Sequence, residues 1–197
     1  MKLALFDFDG TITTKDSLSD FIQYSIGKYS YYIGLLALSP MLTAYTLKLI
    51  RNDIAKEKLI THFFKGWDIN RFKKIAEQYS LEQIDKITRT KAIEKIKWHQ
   101  ERKHKVIIVS ASMECWLKPW CEKNDIDLIS TKLEYKDNKL TGKFSTKNCY
   151  GIEKANRINE CYNLSEYDYI YAYGDSSGDK ELLALADESL YKPFINN

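Results

Sequence analysis

Residues 1–17 read MKLALFDFDGTITTKDS. Residues 2–8, KLALFDF, have the apolar character of a buried strand, and Gly10 ends it. Two carboxylates, Asp7 and Asp9, stand at the end of that strand, one residue apart. Like charges held this close oppose each other's ionisation. What makes the pair tolerable must come from elsewhere in the chain.

Further along, residues 17–97 carry an almost wholly helical pattern. HKVIIVS (104–110) reads as a second buried strand, and a helix is expected over 113–124. A third short strand is expected over 126–131. KLEYKDNKLTGKFS (132–145) alternates around Asp137-Asn138 as a β-hairpin does. A helix over 151–162 and a fourth buried strand, YDYIYAY (167–173), follow. A helix over 179–186 and a short strand near Leu190 complete the pattern. There are no repeats and no low-complexity segments.

Strands alternating with helices imply an α/β fold with a parallel sheet covered on both faces, the Rossmann-like arrangement. In such sheets ligands bind beyond the carboxyl ends of the strands. The first strand delivers Asp7 and Asp9 there. The second delivers Ser110, Ala111 and Ser112, and the fourth delivers GDSSGD, Gly174 to Asp179. Carboxylates gathered at one edge repel unless a cation neutralises them, and hard oxygen ligands with room for water and phosphate suit Mg²⁺. A calcium loop of the EF-hand type needs Gly at its sixth position and Glu at its twelfth. Counted from Asp7 those positions hold Ile12 and Leu18, and counted from Asp175 they hold Lys180 and Ala186. Neither loop is of that type.

Composition narrows the field. The chain has 197 residues, 44% hydrophobic and 29% charged, which suits one large domain or a core with an insert. A net charge of +3 is too small to announce a nucleic-acid partner. The densest basic run, Arg102-Lys103-His104-Lys105, falls at a helix end, where cations complement the dipole. Cys115, Cys121, Cys149 and Cys161 form no Cys-x-x-Cys pair and have no histidine at zinc spacing, so reduced thiols in a cytoplasmic protein are expected. His62, His99 and His104 are scattered and receive no chemical role. Asp7 interrupts the apolar start too early for a signal peptide.

The motifs resemble those of the haloacid dehalogenase superfamily of phosphohydrolases. The first is Asp7-Phe8-Asp9-Gly10-Thr11, the second ends at Ser110-Ala111-Ser112, and the fourth is YGDSSGD, Tyr173 to Asp179. The resemblance runs from end to end of the chain. The helical stretch after the first strand is similar to the inserted cap of the phosphoserine-phosphatase-like branch, subfamily IB. This implies a core over 1–15 and 88–197 and an all-helical cap over 16–87. GTITTKDS, SASMECWLKPW and NCYGIEKANRI are most similar to a bacterial group that includes phosphatidylglycerophosphatase C.

The resemblance implies a Mg²⁺-dependent phosphomonoesterase. Asp7 is then the nucleophile that takes the phosphoryl group, and Asp9 the general acid and base. Asp7, the Asp9 carbonyl and Asp175 hold the metal, with Asp179 in the metal shell or orienting a lysine. Ser110, the amide of Ala111 and Thr11 contact phosphate. Three departures stand out. Tyr150 occupies the slot before Gly151 where phosphoserine phosphatases place their lysine, so Lys154, one helical turn on, is expected to serve, with Lys147 in reserve. Gly178 stands where that pattern has Asn. Asp16 stands where that pattern has the Glu that holds the substrate amine, so it is a substrate-binding candidate, though its shorter side chain argues against serine phosphate.

Residues 29–47, YSYYIGLLALSPMLTAYTL, contain no charge, and Lys28 and Lys48 flank them. The stretch approaches the roughly 20 residues of a membrane span. A single crossing would part Asp7 from Asp175, and Pro40 splits the stretch into halves too short to span. Two readings follow: a helical hairpin buried in the cap, or an apolar surface that meets a membrane or a lipid tail. The second would place a cytoplasmic protein at the inner face of the membrane, acting on a lipid phosphate rather than a small polar one. A phosphotransferase or mutase, and a non-catalytic phosphate-binding or membrane-docking module, are the rival readings.

Overall fold

The apolar run before Asp7 becomes the central strand of the sheet. In the computed structural model, which describes residues 1–195, β1 (Lys2–Phe6) lies between β2 (Lys105–Met113) and β6 (Tyr169–Gly174). Outside them lie β3 (Asp127–Thr131), beside β2, and β7 (Glu188–Tyr191), beside β6. All neighbouring pairs are parallel. Side chains alternate across the sheet. Ala4, Phe6, Val106, Ile108, Tyr171 and Tyr173 face one apolar cluster, and Leu3, Leu5, Ile107, Val109, Ile170 and Ala172 face the other. Burial on both faces explains why these strands read as continuous apolar runs.

The second face is covered by α9 (Ile152–Cys161) through Ile158 and by α10 (Lys180–Leu183) through Leu182. The first face meets a larger layer. Between β1 and β2 the chain forms α1 (Ser17–Ile26), α2 (Lys28–Ala37), α3 (Ser39–Thr46), α4 (Asn52–Phe64), α5 (Ile69–Glu82), α6 (Ile84–Ile87) and α7 (Thr90–Glu101). The segment from β2 continues into α8 (Glu114–Lys123). Phe21 of α1, Phe64 of α4, Phe72 and Tyr79 of α5 and Trp116 of α8 belong to the same buried cluster as Phe6 and Phe8. Phe21 stacks on Trp116 with ring centroids 4.5 Å apart.

The chain leaves the sheet and returns to it along one short antiparallel contact. Thr13 bridges Thr88, Thr14 N–H donates to Ile87 O at 2.7 Å, and Arg89 N–H donates to Ile12 O at 2.7 Å. Arg89 Nε also donates to Thr13 O at 3.1 Å and Gly10 O at 3.3 Å. A second tie comes from the hairpin of β4 (Leu133–Lys136) and β5 (Lys139–Phe144). Its turn residues Asp137 and Asn138 both have positive φ, as a two-residue type I′ loop requires. The hairpin packs on α4, where Thr61 Oγ1 donates to Gly142 O at 3.1 Å.

Three elements differ from the sequence expectation. β2 runs on to Met113, because Ser110 Oγ accepts the Ser112 amide at 3.0 Å and keeps the segment extended. The helix expected over 179–186 is only Lys180–Leu183, preceded by a 3-10 turn over Ser177–Asp179. There the Asp179 carboxylate accepts the Ser176 amide and hydroxyl, at 2.9 and 2.8 Å, and tightens the turn. The uncharged stretch does form a helical hairpin, but it is buried on one side only. Tyr31 and Gly34 are buried, whereas Tyr29, Tyr32, Ile33 and Leu36 are exposed. Among the described residues no helix is long and apolar enough to cross a membrane.

His99, left without a role by its position in the sequence, is fully buried at the end of α7. Its Nε2 shares a hydrogen bond with the Tyr173 hydroxyl at 2.9 Å, and its Nδ1 with His104 Nδ1 at 2.8 Å. Burial, then the neighbouring His104, Lys95 and Arg102, push its pKa down from 6.5 to about 3. Between those values the unfolded chain binds a proton that the native protein lacks. The stabilising contribution is therefore complete above about pH 6.5 and is lost as the pH falls toward 3. In denaturant titrations from pH 7 downward, His99→Gln is expected to show a shallower loss of stability than the parent, by up to about 1.4 kcal/mol per pH unit.

Candidate active site

β1 and β6 end together, with the Asp7 amide donating to Tyr173 O at 2.9 Å, so their loops emerge side by side. Gly10 has φ +86°, and a Cβ there would lie 2.4 Å from Asp175 Oδ2. A side chain would push the two loops apart. Thr11, itself buried, sits between the carboxylates. Its hydroxyl donates to Asp7 Oδ2 at 3.0 Å and lies 3.3 Å from Asp175 Oδ1. Carboxylate oxygens of Asp7, Asp175 and Asp179 lie within 4.8 Å of one another.

Lys154 enters from the first turn of α9, and Lys154 and Asp7 are both buried. Its Nζ lies 2.5 Å from Asp7 Oδ1 and 2.7 Å from Asp179 Oδ1. Burial opposes the ammonium, but Asp7 and Asp179 outweigh it and hold the Lys154 pKa above the ordinary lysine range. Burial likewise works against the Asp179 carboxylate, yet Lys154 and the Ser176 hydrogen bonds keep its pKa below the usual value. Lys147 is exposed, 4.0 Å from Glu153. Spacing alone left the two lysines as alternatives; the fold brings only Lys154 to the carboxylates.

Asp9 points the other way. Its carboxylate accepts the Ser17 amide at 2.7 Å and the Ser112 hydroxyl, and Ser17 Oγ lies 2.8 Å from Ser112 Oγ. Burial raises its pKa, Asp16 raises it further, and Lys56 partly counters them. The Asp9 side chain thus stands apart from the three-carboxylate cluster. Asp16 caps α1, accepting the Ser19 amide at 2.8 Å. Ser110 is buried, and the Ala111 carbonyl accepts from Lys56 Nζ at 3.3 Å.

Asp7, Asp9, Asp16, Ala111, Lys154 and Asp179 line a cavity of about 140 Å³, which Asn52 and Lys56 of α4 also reach. Asn52 and Tyr150 continue into a groove of about 520 Å³ bounded by Arg51, Lys147, Ile152 and Asn156. Lys56 and Asn52 carry no local motif, and only the folding of α4 against the hairpin and the β2 loop brings them here. Ser112 is at the edge the sequence assigns to it, but its bond to Asp9 depends on the extended end of β2.

The donor set also bears on a metal. Burial pushes the Asp7 pKa up to about 7, Lys154 only partly offsets it, and Asp179 and Asp9 add to it. Asp175 is raised too, by burial and then by Asp179. Lys154 compensates one side of Asp7, and on the side facing Asp175 no ion pair forms among the described residues, Lys154 and Lys192 only partly offsetting burial and Asp179. Hard oxygen donors with excess negative charge fit a small divalent cation there.

The sequence pattern of the haloacid dehalogenase-like hydrolases matches residues 4–184, and the chain belongs to that family. Protein CicA of Caulobacter vibrioides is 32% identical over 195 residues, covering 98% of this chain and 86% of that protein. A probable phosphatase of Mycobacterium tuberculosis is 27% identical, covering 96% of this chain and 68% of that protein. A phospho-aspartyl intermediate analogue of phosphoserine phosphatase superposes with a TM-score of 0.69 at 19% identity, covering 95% and 84% of the two chains. That likeness shows the shared Rossmann-like fold.

Two of the three departures from the phosphoserine phosphatase pattern, Tyr150 and Gly178, meet in space. A Cβ on Gly178 would lie 2.2 Å from the Tyr150 ring. The aromatic ring occupies the volume that an Asn side chain at 178 would need. Gly178→Asn is therefore expected to destabilise the protein by about 1–3 kcal/mol in denaturant titration. Adding Tyr150→Ala should recover most of that loss, giving a non-additive cycle.

Proposed function

We propose that the protein is a divalent-cation-dependent phosphomonoesterase that works through a phosphoryl group on Asp7. The contact of Asp7 with buried Lys154, at a cavity that Asp9 also lines, carries this reading. The Asp9 carboxylate is held at that cavity by Ser17 and Ser112, and a pure phosphate-binding module has no use for this second carboxylate. Asp7 Oδ attacks phosphorus, and the bond from phosphorus to the ester oxygen breaks. Asp9 gives its proton to the leaving oxygen. A water then attacks phosphorus, Asp9 takes the water's proton, and the Asp7 carboxylate and inorganic phosphate are released. Lys154 offsets the charge that gathers on Asp7 and the phosphoryl oxygens. Asp7 and Asp175, with the Asp9 carbonyl, are the candidates to hold Mg²⁺, which lowers the negative charge at the reacting phosphate when bound. Thr11 keeps the two carboxylates in register. Ser110 and the Ala111 amide are the phosphate-binding candidates on the β2 side.

Residues 16–87 act in this reading as a cap over the core. Asp16, Asn52 and Lys56 reach the cavity from that layer, so the cap meets the leaving group. The cavity suits a phosphoryl group, and the larger groove beyond Asn52 and Tyr150 suits the rest of the ester. Asp16 is engaged as a helix cap, which disfavours recognition of a substrate amine. Exposed Tyr150 and Ile152 border the groove, where Arg51 pairs with Asp53 and Lys147 lies 4.0 Å from Glu153. The two exposed apolar side chains favour an ester with an apolar part, in keeping with the resemblance to the group that includes phosphatidylglycerophosphatase C. A phosphotransferase would share the first step and differ in the acceptor.

Phosphate release from phosphoserine, sugar phosphates, nucleoside monophosphates and phosphatidylglycerol phosphate, with Mg²⁺ or a chelator, tests the reading. Chelator-sensitive release, strongest from the lipid, is expected. Asp7→Asn should remove turnover and Asp9→Asn lower kcat by roughly 10²–10⁴-fold, both with the parent's circular dichroism. Wild type that releases phosphate from none of these esters with Mg²⁺ present would overturn it.

A further inference from the structure

The uncharged helices of the cap present an apolar surface that no other part of the described chain covers. In α2, Tyr31 and Gly34 are buried. Tyr31 stacks on Phe63 of α4, with ring centroids 6.1 Å apart, and a Cβ on Gly34 would lie 2.3 Å from the same ring. This fixes the inward face. Tyr29, Tyr32, Ile33 and Leu36 fall at the spacing i, i+3, i+4, i+7, a single stripe on the opposite face. They are 81%, 61%, 51% and 75% exposed. Leu47 and Leu49, just beyond α3, are 64% and 75% exposed. A helix apolar on both sides is ordinarily buried on both sides.

We propose that α2 and the segment after α3 rest on the surface of an anionic lipid bilayer. Charge points to this occupant. Residues 28–52 contain no Asp or Glu, although the chain has 27 acidic residues, and the cations of that segment are Lys28, Lys48 and Arg51. Arg51 pairs with Asp53, whereas Lys28 and Lys48 make no ion pair among the described residues. An apolar stripe flanked by lysines suits the boundary between acyl chains and anionic headgroups, and tyrosine is enriched at that depth. A second copy of the chain fits less well. A stable dimer face takes roughly 20–30 residues a side, and this stripe offers six large apolar side chains on two short segments.

The surface adjoins the cavity. Tyr45 of α3 accepts a hydrogen bond from Asn52 Nδ2 at 2.8 Å, and Asn52 lines both the cavity and the groove. A bilayer against α2 therefore lies near the entrance to the site. The docking itself rests on the surface alone and holds whether or not Asp7 carries phosphate.

Co-sedimentation of the full chain with vesicles tests it. Vesicles of phosphatidylcholine with phosphatidylglycerol should carry the protein down, and phosphatidylcholine alone should retain much less. Ile33→Glu with Leu36→Glu, both at exposed positions, should cut binding at least about tenfold with an unchanged thermal midpoint. Lys28→Glu with Lys48→Glu should remove the preference for the anionic lipid. Release of phosphate from a small water-soluble ester should be the same in Ile33→Glu/Leu36→Glu as in the parent, which separates failure of docking from failure of the catalytic reading. No sedimentation with either vesicle overturns the proposal. So does a dimer in solution that the Ile33→Glu/Leu36→Glu change dissociates.

Discussion

The Lys154 ammonium, held between Asp7 and Asp179, is the contact on which the candidate site depends. A buried charge without a partner is unstable, and a buried pair that loses one member leaves the other stranded. Lys154 reaches Asp7 only because α9 packs on the sheet through Ile158 and sets its first turn beneath the β1 and β6 loops. Asp179 completes the arrangement from the other side. It also ties down its own turn by accepting from Ser176, so the loop after β6 and the helix after Gly151 are fixed by the same carboxylate. The remaining unbalanced charge, between Asp7 and Asp175, is what gives the site its affinity for a cation in the proposed reading.

A second constraint is steric. Tyr150 and Gly178 are separate oddities along the chain but one feature in space. With an aromatic ring at 150, a side chain at 178 would have to displace that ring, and the buried lysine of the site is Lys154, one helical turn further on. The same ring borders the groove through which a leaving group would extend. In the proposed reading this one local change bears both on the lysine that neutralises the phosphate and on what the entrance offers a substrate.

The helical layer is joined to the sheet at several points of different kinds. The Thr13 and Thr88 bridge joins entry and exit, the aromatic cluster around Phe21 and Trp116 fills the interface, and the hairpin grips α4 at Gly142. α2 and α3 lie outside these ties. α2 packs inward against Phe63 and presents its other face outward, so the uncharged stretch is neither a hairpin buried on all sides nor, among the described residues, a helix able to span a membrane. It is an amphipathic problem with one side solved by the fold.

The parallel sheet and the carboxylates at its edge could be read from the sequence, whereas the central place of β1 comes from the strand order of the fold. The sheet and the carboxylates follow from short-range rules: strands buried on both faces must be continuously apolar, and their ends must meet at one edge. Asp7, Asp9 and Asp175 were legible because they stand at or within three residues of the end of such a run. Tertiary structure alone decided what depends on distant segments touching. It separated Lys154 from Lys147, turned the Asp9 side chain toward Ser17 and Ser112, and brought Lys56 and Asn52 to the cavity from a helix without any motif. It also decided which side of α2 is covered. Apolar periodicity says that a face must be buried, but when both faces are apolar only packing can choose between them.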